Sequence, residues 1–231
     1  MIKNVLITGG NKGIGKAIKN KFESEGYNVF VLGKKKLKKK NYFSVNLKNL
    51  DEVKRFAKKV HKKKIDILIN NAGISTEDNV CNFKLYKMLE IHRVNFYSST
   101  IIANSVLKNM INNNWGRIVN ITSIFGEYAR ENRLSYITSK FLLNSFTKSL
   151  AVDFSKYNIL SNSVAPGVTS TDLTNKMLKN SYTKRKMIKN IPMKRFAKID
   201  EVSELVFHLG SGENKFITGQ QIFVDGGYSI I

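Results

Sequence analysis

A chain of 231 residues, 42% of them hydrophobic, has enough apolar material for one α/β domain with a sizeable core. Its single cysteine, Cys81, excludes an intramolecular disulfide and a thiolate metal cage, and His61, His92 and His208 are scattered without ligand spacing, so no metal site is expected. Lys and Arg number 39 against 17 Asp and Glu, a formal net charge of +22, and no apolar stretch approaches the roughly 20 residues that a bilayer span needs.

Much of the positive excess sits in Lys34–Lys40 and Lys54–Lys64. Such runs suit nucleic acid, but no aromatic residues are interleaved with them in a base-stacking pattern. The chain is rich in Lys, Asn and Ile throughout, as an A/T-rich genome would produce. Compositional drift is the preferred reading, nucleic acid is not an expected partner, and acidic proteins are.

In chain order, Ile2 to Ile7 is a β-branched apolar run that reads as a strand. It begins so early that no signal or transit peptide is expected, hence a cytoplasmic location. The strand runs into Thr8-Gly9-Gly10-Asn11-Lys12-Gly13-Ile14-Gly15, after which Ala17, Ile18 and Phe22 continue at helical spacing. Strand, glycine-rich turn and helix together can cradle a diphosphate, since glycines let the backbone approach it and the helix N-terminus presents free N–H groups. The spacing is G-x-x-x-G-x-G rather than the commoner G-x-G-x-x-G.

Val29–Leu32 is the second strand, ending at Gly33. Dinucleotide folds that select NAD place an acidic residue there to grip the ribose 2′-OH. Here Lys34-Lys35-Lys36 follow, with no carboxylate to repel a 2′-phosphate, which favours NADP(H). Phe43–Val45, Ile65–Ile69, Ile118–Ile121, Ile159–Ala165 and Gln221–Val224 complete seven strands alternating with helical stretches, the pattern of a doubly wound, mostly parallel sheet in a single domain spanning 1–231. Asn70-Asn71-Ala72-Gly73 follows the fourth strand. Its asparagines either approach a cofactor or brace neighbouring strands. Asn95 falls inside a helix beginning near Leu85, and Arg117, ahead of the fifth strand, reads as structural.

Tyr136 and Lys140 lie four residues apart on one helix face. A phenol with a pKa near 10 is a poor acid–base group at neutral pH unless a cation favours its phenolate. Lys140 would supply that bias, and Ser123 could hydrogen-bond the oxygen that Tyr136 protonates. The three look like machinery for reducing a carbonyl or oxidising an alcohol.

Thr8-Gly-x-x-x-Gly-x-Gly15, Asn70-Asn71-Ala72-Gly73, Asn95, Ser123, Tyr136-x-x-x-Lys140 and Pro166-Gly167 together resemble the motif set of the short-chain dehydrogenase/reductase family, in its order and across nearly the whole chain. The resemblance implies a Rossmann-type sheet and a set of roles. Tyr136 is the general acid, Lys140 holds the nicotinamide ribose and lowers the Tyr136 pKa, Ser123 polarises the carbonyl, and Asn95 anchors a water leading from Lys140. The cofactor would be held by Thr8, Gly9, Asn11, Lys12, Gly13, Ile14, Gly15, Lys34, Asn46, Leu47, Asn71, Ala72, Gly73, Tyr136, Lys140, Pro166, Gly167, Val168 and Thr171. Lys12 matches a position often basic in NADP-using members, Asn46 stands where the family usually has Asp beside the adenine, and Val168 with Thr171 would fix the nicotinamide carboxamide. The sequence departs from the family in having only about nine residues between Gly33 and Phe43, where a helix is usual.

Residues 172–195 fall where the family places a substrate lid, basic and methionine-containing here. Asp78-Asn79, Pro166–Asp172, Ile191–Phe196 and Ile217–Gly227 are similar to segments of the family's 3-oxoacyl-[acyl-carrier-protein] reductases. That similarity implies NADPH-dependent reduction of a 3-oxoacyl thioester to its (3R)-3-hydroxyacyl form in fatty-acid biosynthesis, with an acidic acyl-carrier protein as partner. Sugar, ketone and acyl-CoA members share these segments, and a non-catalytic NADP-sensing or nucleic-acid-binding protein on the same fold is the alternative of another class. A homotetramer is implied too, with one contact through helices near Leu85–Asn109 and Tyr136–Ser155 and another through the C-terminal strand and Ile230-Ile231.

Overall fold

The computed structural model describes residues 2–35, 37, 40–171, 174 and 181–231, and of 181–183 the backbone alone. Seven strands pair in parallel in the order β3-β2-β1-β4-β5-β6-β7. They are β1 (Asn4–Thr8), β2 (Asn28–Gly33), β3 (Tyr42–Ser44), β4 (Ile67–Asn70), β5 (Gly116–Ile121), β6 (Ile159–Pro166) and β7 (Gln221–Val224). The α-helices are α1 (Gly13–Ser24), α2 (Leu50–Val60), α3 (Leu85–His92), α4 (Ser98–Asn112), α5 (Leu134–Phe154), α6 (Ser181–Lys189) and α7 (Ile199–Gly210). This is the doubly wound Rossmann-type sheet expected from the apolar runs. Strand order reverses between β1 and β4, and open α/β sheets take ligands in the crevice beyond the carboxyl ends at such a reversal.

Alternate side chains along a strand point to opposite faces, and here both faces are covered, which is why the strands read as near-continuous apolar runs. Leu6, Phe30, Leu32 and Leu68 meet Val53 and Phe56 of α2 and Ile102, Val106 and Met110 of α4. Val5, Ile7, Val29, Val31 and Ile69 meet Ile18 and Phe22 of α1 and Val202 and Val206 of α7. Each such side chain, fully buried, contributes roughly 1.5–3 kcal/mol.

The basic run 54–64 is largely the outer face of α2. Val53, Phe56, Ala57 and Val60 point inward, the Asn49 side chain caps the N-terminus by accepting from Asp51 N and Glu52 N, and Lys58 and Lys59 sit in the last turn, where cations suit the helix dipole. Between β2 and β3 the described residues of 34–41 form no helix, in keeping with the short spacing.

Arg117 lies within β5 rather than ahead of it, and is buried. Its guanidinium donates to the carbonyls of Gly116 (2.7 Å), Asn158 (2.9 Å) and Asn214 (2.8 Å) and stacks on Trp115 at 4.5 Å. Burial lowers its pKa to about 10. It clamps the amino end of β5, remote from the crevice, the structural role expected of it.

Candidate active site

β1 delivers Thr8 to the crevice, buried. Its Oγ1 accepts from Asn71 N and Ala72 N, both at 3.0 Å, while Asn71 Nδ2 donates to Thr8 O (3.0 Å) and Gly9 O (3.3 Å). Asn70 Nδ2 donates to Asn120 Oδ1 at 2.8 Å. Of the two roles open to these asparagines, both side chains brace strand ends, and so does Thr8. The parallel strands need this because their carboxyl ends carry polar groups with no further ladder partner.

α1 starts at Gly13 behind Lys12, whose side chain makes no capping bond, so the first-turn N–H groups remain open toward the crevice. A Cβ on Gly15 would fall on Gly9 O and Asn71 Nδ2, so only glycine lets the helix lie this close to the turn. Asn11 and Lys12 are exposed and Ile14 packs against the core beneath. Thr171 faces the turn across the crevice, its Cγ2 lying 3.7 Å from where a Gly13 Cβ would sit, and its Oγ1 is bonded to Thr174 Oγ1 at 2.6 Å. The turn, the open helix end, and a β2 end followed by exposed Lys34 rather than a carboxylate fit a phosphorylated dinucleotide.

Along the rest of the expected cofactor path the fit is uneven. Leu47 is buried in the core under Asn46, whose Oδ1 already accepts from Lys48 N at 3.3 Å and keeps one lone pair. Pro166 ends β6 in the sheet, and a Cβ on Gly167 would lie 2.9 Å from Asp225 Cα. The Val168 carbonyl accepts from Ala197 N and keeps one lone pair, so both its oxygen and its N–H are available to a carboxamide.

Ser123 follows β5, and its Oγ is held by accepting from Phe125 N at 3.2 Å in the short turn Ile124–Gly126. Its hydroxyl faces the phenol of Tyr136, in the first turn of α5, closely enough to favour the phenolate. Lys140, one turn further and 3% exposed, donates from Nζ to Ile121 O at 2.7 Å and lies 5.8 Å from the Tyr136 ring centre. A Cβ on Gly73 would sit 3.4 Å from Lys140 Nζ and 3.5 Å from Asn95 Oδ1. Ser123, Tyr136, Lys140, Asn95 and the Asn-Asn-Ala-Gly segment therefore converge on one wall of the crevice.

Electrostatically the site differs from the sequence expectation. Burial pushes the Tyr136 phenol above its usual value; the Ser123 hydroxyl and the charge of Arg133 pull the other way without winning. The Lys140 ammonium, drawn toward the Ile121 carbonyl, does not reverse this, and burial lowers its own pKa to about 8. The expected depression of Tyr136 by Lys140 is thus corrected: loss of solvent dominates at both groups, and the Lys140 charge is not among the influences on the phenol. A neutral phenol at pH 7 is the form that can give up a proton.

This arrangement predicts a pH signature in stability. Folding lowers the Lys140 pKa, so between about pH 8 and 10 the unfolded chain binds more protons than the folded one, and stability rises with pH. Below pH 8 the burial penalty is present in full. Melting temperatures of Lys140→Met should lack the wild-type protein's gain across that window, and a gain of equal size in both would refute the assignment.

Asn95, fully buried, lies in a π-helical turn, Arg93–Tyr97, between α3 and α4. Its carboxamide accepts from Ile74 N (2.9 Å) and donates to Ile74 O (2.9 Å) and Ser139 Oγ (2.8 Å). Both donors are engaged, and one Oδ1 lone pair remains. Single π turns tend to occur at functional sites.

Sequence reasoning noted Asp78 only as part of a similar segment. The structure gives it a distinct job. Buried, it accepts from Ser135 N (3.1 Å) and from Ser135 Oγ in a short contact, while Arg133 reaches Ser75 Oγ, Thr76 O and Glu77. Asp78 thus caps α5 from 57 residues away, beside Tyr136. The S-x-x-E form of a cap is local and visible in sequence; this one is not.

Beside Ser123 opens a cavity of about 400 Å³, lined among others by Ile124, Phe125, Arg130, Val168, Lys186 and Met187. Lys186 and Met187 belong to α6 and to the stretch 172–195 expected to form a lid. Of that stretch Asp172, Lys176, Met177 and Lys179 lie outside the described residues, as does Lys36 of the basic run after β2.

A family model described as enoyl-(acyl carrier protein) reductase matches residues 9–229. The chain is 36% identical to 3-oxoacyl-[acyl-carrier-protein] reductase FabG of Buchnera aphidicola subsp. Acyrthosiphon pisum, covering 99% of this chain and 98% of that protein. Among solved structures, Thermoplasma acidophilum aldohexose dehydrogenase superposes with a TM-score of 0.91 at 30% identity, covering 100% of this chain and 95% of the other. ElxO with NADP bound superposes with a TM-score of 0.91 at 29% identity, covering 99% of each. With the glycine turn, the serine, the tyrosine–lysine pair and the sheet order in place, the chain belongs to the short-chain dehydrogenase/reductase family.

Proposed function

We propose that this protein is an NADP-dependent oxidoreductase reducing a 3-oxoacyl-[acyl-carrier-protein] thioester to the (3R)-3-hydroxyacyl form. The observation that carries the reading is the gathering of Ser123, Tyr136 and Lys140 beside a cavity whose lining starts at Ile124 and Phe125 and joins the apolar Val168, Met187 and Ile191 to the cations Arg130 and Lys186 and the carboxylate Asp225. An acyl chain suits the apolar lining, and a phosphate-bearing arm on an acidic carrier suits the cations. The full-length similarity to reductases of that name supports it.

Bound NADPH supplies the hydride. Ser123 donates to the substrate carbonyl oxygen and orients it, and Tyr136 protonates that oxygen as it gains negative charge. The raised phenol pKa keeps the proton on Tyr136 at neutral pH, the state from which reduction starts. Lys140 holds the ribose hydroxyls and returns a proton to Tyr136, replenished through a water held by the remaining Asn95 lone pair. On the cofactor side, the first-turn N–H groups of α1 take the diphosphate, with Gly9, Gly13 and Gly15 making room and Lys12 and Lys34 supplying charge.

The assay that tests this compares NADPH with NADH as reductants of acetoacetyl thioesters of carrier protein and of coenzyme A. Thioester-dependent NADPH oxidation is expected, with NADH at least about tenfold poorer, since one charge-assisted contact to a 2′-phosphate is worth that much. Turnover of sugars with none of thioesters would refute the substrate.

The same reading makes the protein a cytoplasmic homotetramer. Leu85, Tyr86, Leu89 and Phe141 leave an exposed apolar face on α3 and α5, and Phe216, Ile230 and Ile231 another near β7, as buried contacts between copies would require. Sedimentation at micromolar concentration checks the assembly. Among the described residues no helix is long and apolar enough to cross a membrane.

A further inference from the structure

Tyr42 opens β3, and three segments distant in sequence meet at its hydroxyl. Asn11 Nδ2, from the turn after β1, donates to Tyr42 Oη at 2.9 Å. A Cβ on Gly33, the last residue of β2, would lie 2.5 Å from Asn11 Nδ2 and 2.6 Å from Tyr42 Oη. The ring itself packs against the core beside Val29 and Val31, which fixes it far more firmly than any exposed lysine.

A phenol has one donor and two acceptor lone pairs. Tyr42 uses a lone pair on Asn11, and among the described residues nothing accepts its proton. That proton is offered at the end of the second strand, where dinucleotide folds hold the ribose 2′ position. Lys12 and Lys34, both exposed, follow Asn11 and Gly33 directly in the chain. Among the described residues of 34–41 there is no helix, and Tyr42 of β3 reaches the turn after β1.

We propose that Tyr42 is a ligand of the 2′-phosphate of NADP(H), its O–H donating to a phosphate oxygen while Asn11 holds the phenol in position. Lys12 and Lys34 bring charge; Tyr42 brings a donor at a fixed point. This rests on the cofactor reading above and adds to it a residue that discriminates between the two nicotinamide cofactors. A donor aimed at a dianion gains more than one aimed at a ribose hydroxyl.

The experiment is equilibrium titration of Tyr42→Phe and wild-type protein with NADPH, NADH, adenosine 2′,5′-bisphosphate and 5′-AMP, read by calorimetry. Phenylalanine keeps the ring in the core, so the variant should melt with the wild type. The expected result is about tenfold weaker binding of NADPH and of the bisphosphate, with NADH and 5′-AMP within twofold of wild type. Equal weakening of all four ligands would make Tyr42 only a brace for the glycine turn, and no change in any would remove it from the site; either overturns the proposal. Wild-type protein that binds neither NADPH nor NADH would overturn the cofactor reading itself, a different failure from loss of discrimination.

Discussion

Tyr136→Phe should lower kcat by about 10²–10⁴-fold, the usual contribution of a positioned general acid, while NADPH binding stays within about twofold. The substitution removes one oxygen from a half-buried ring and leaves the packing of α5 intact. The Ser123 hydroxyl keeps the bond from Phe125 N, so its position survives. Loss of kcat with unchanged cofactor affinity therefore separates a chemical role from a structural one. If the variant retained more than about a tenth of wild-type kcat, proton donation would have to come from elsewhere, and Tyr136 would be reduced to orienting substrate.

Gly15→Ala should remove cofactor binding and destabilise the fold together. The added methyl would overlap Gly9 O, a backbone atom, and Asn71 Nδ2, which ties the ends of β1 and β4. Neither can swing aside like the tip of a flexible side chain. Overpacking of this kind costs about 1–3 kcal/mol, which in a domain of this size lowers Tm by about 2–4 °C per kcal/mol. The first turn of α1 must retreat, and its N–H groups lose their aim at the diphosphate. Thermal melts and NADPH titration on the same sample check both halves. Full affinity in the variant would show that the diphosphate does not sit on this turn.

The strands and the order of the motifs were legible because they depend on local pattern. Both faces of the sheet are covered, so each strand appears as an apolar run, and each motif sits where such a run ends. The glycine turn could be read because a β–α turn this tight leaves few residue choices. The basic run 54–64 was read from composition alone; that most of it forms the outer face of a helix burying Val53, Phe56, Ala57 and Val60 came from the structure.

What escaped the reading depends on contacts between residues far apart in the chain. No local period says that Asp78 caps the helix bearing Tyr136, that Thr8 and Asn71 are engaged with each other, or that the Tyr42 phenol closes over Gly33 beside Asn11. The sign of the Tyr136 shift escaped for a related reason. A tyrosine and a lysine four residues apart suggest mutual stabilisation of charge, but the outcome depends on how much solvent the rest of the fold removes from each.

By itself, then, the sequence determined the sheet, the glycine-rich turn and the set of motif side chains, since spacing along the chain dictates which residues share a strand end or a helix face. Only the tertiary structure decided which of those side chains brace and which remain free, and which proton is held at neutral pH. Hydrogen-bond partners and burial are properties of what surrounds a group in space, and in this fold those surroundings come from residues tens of positions away.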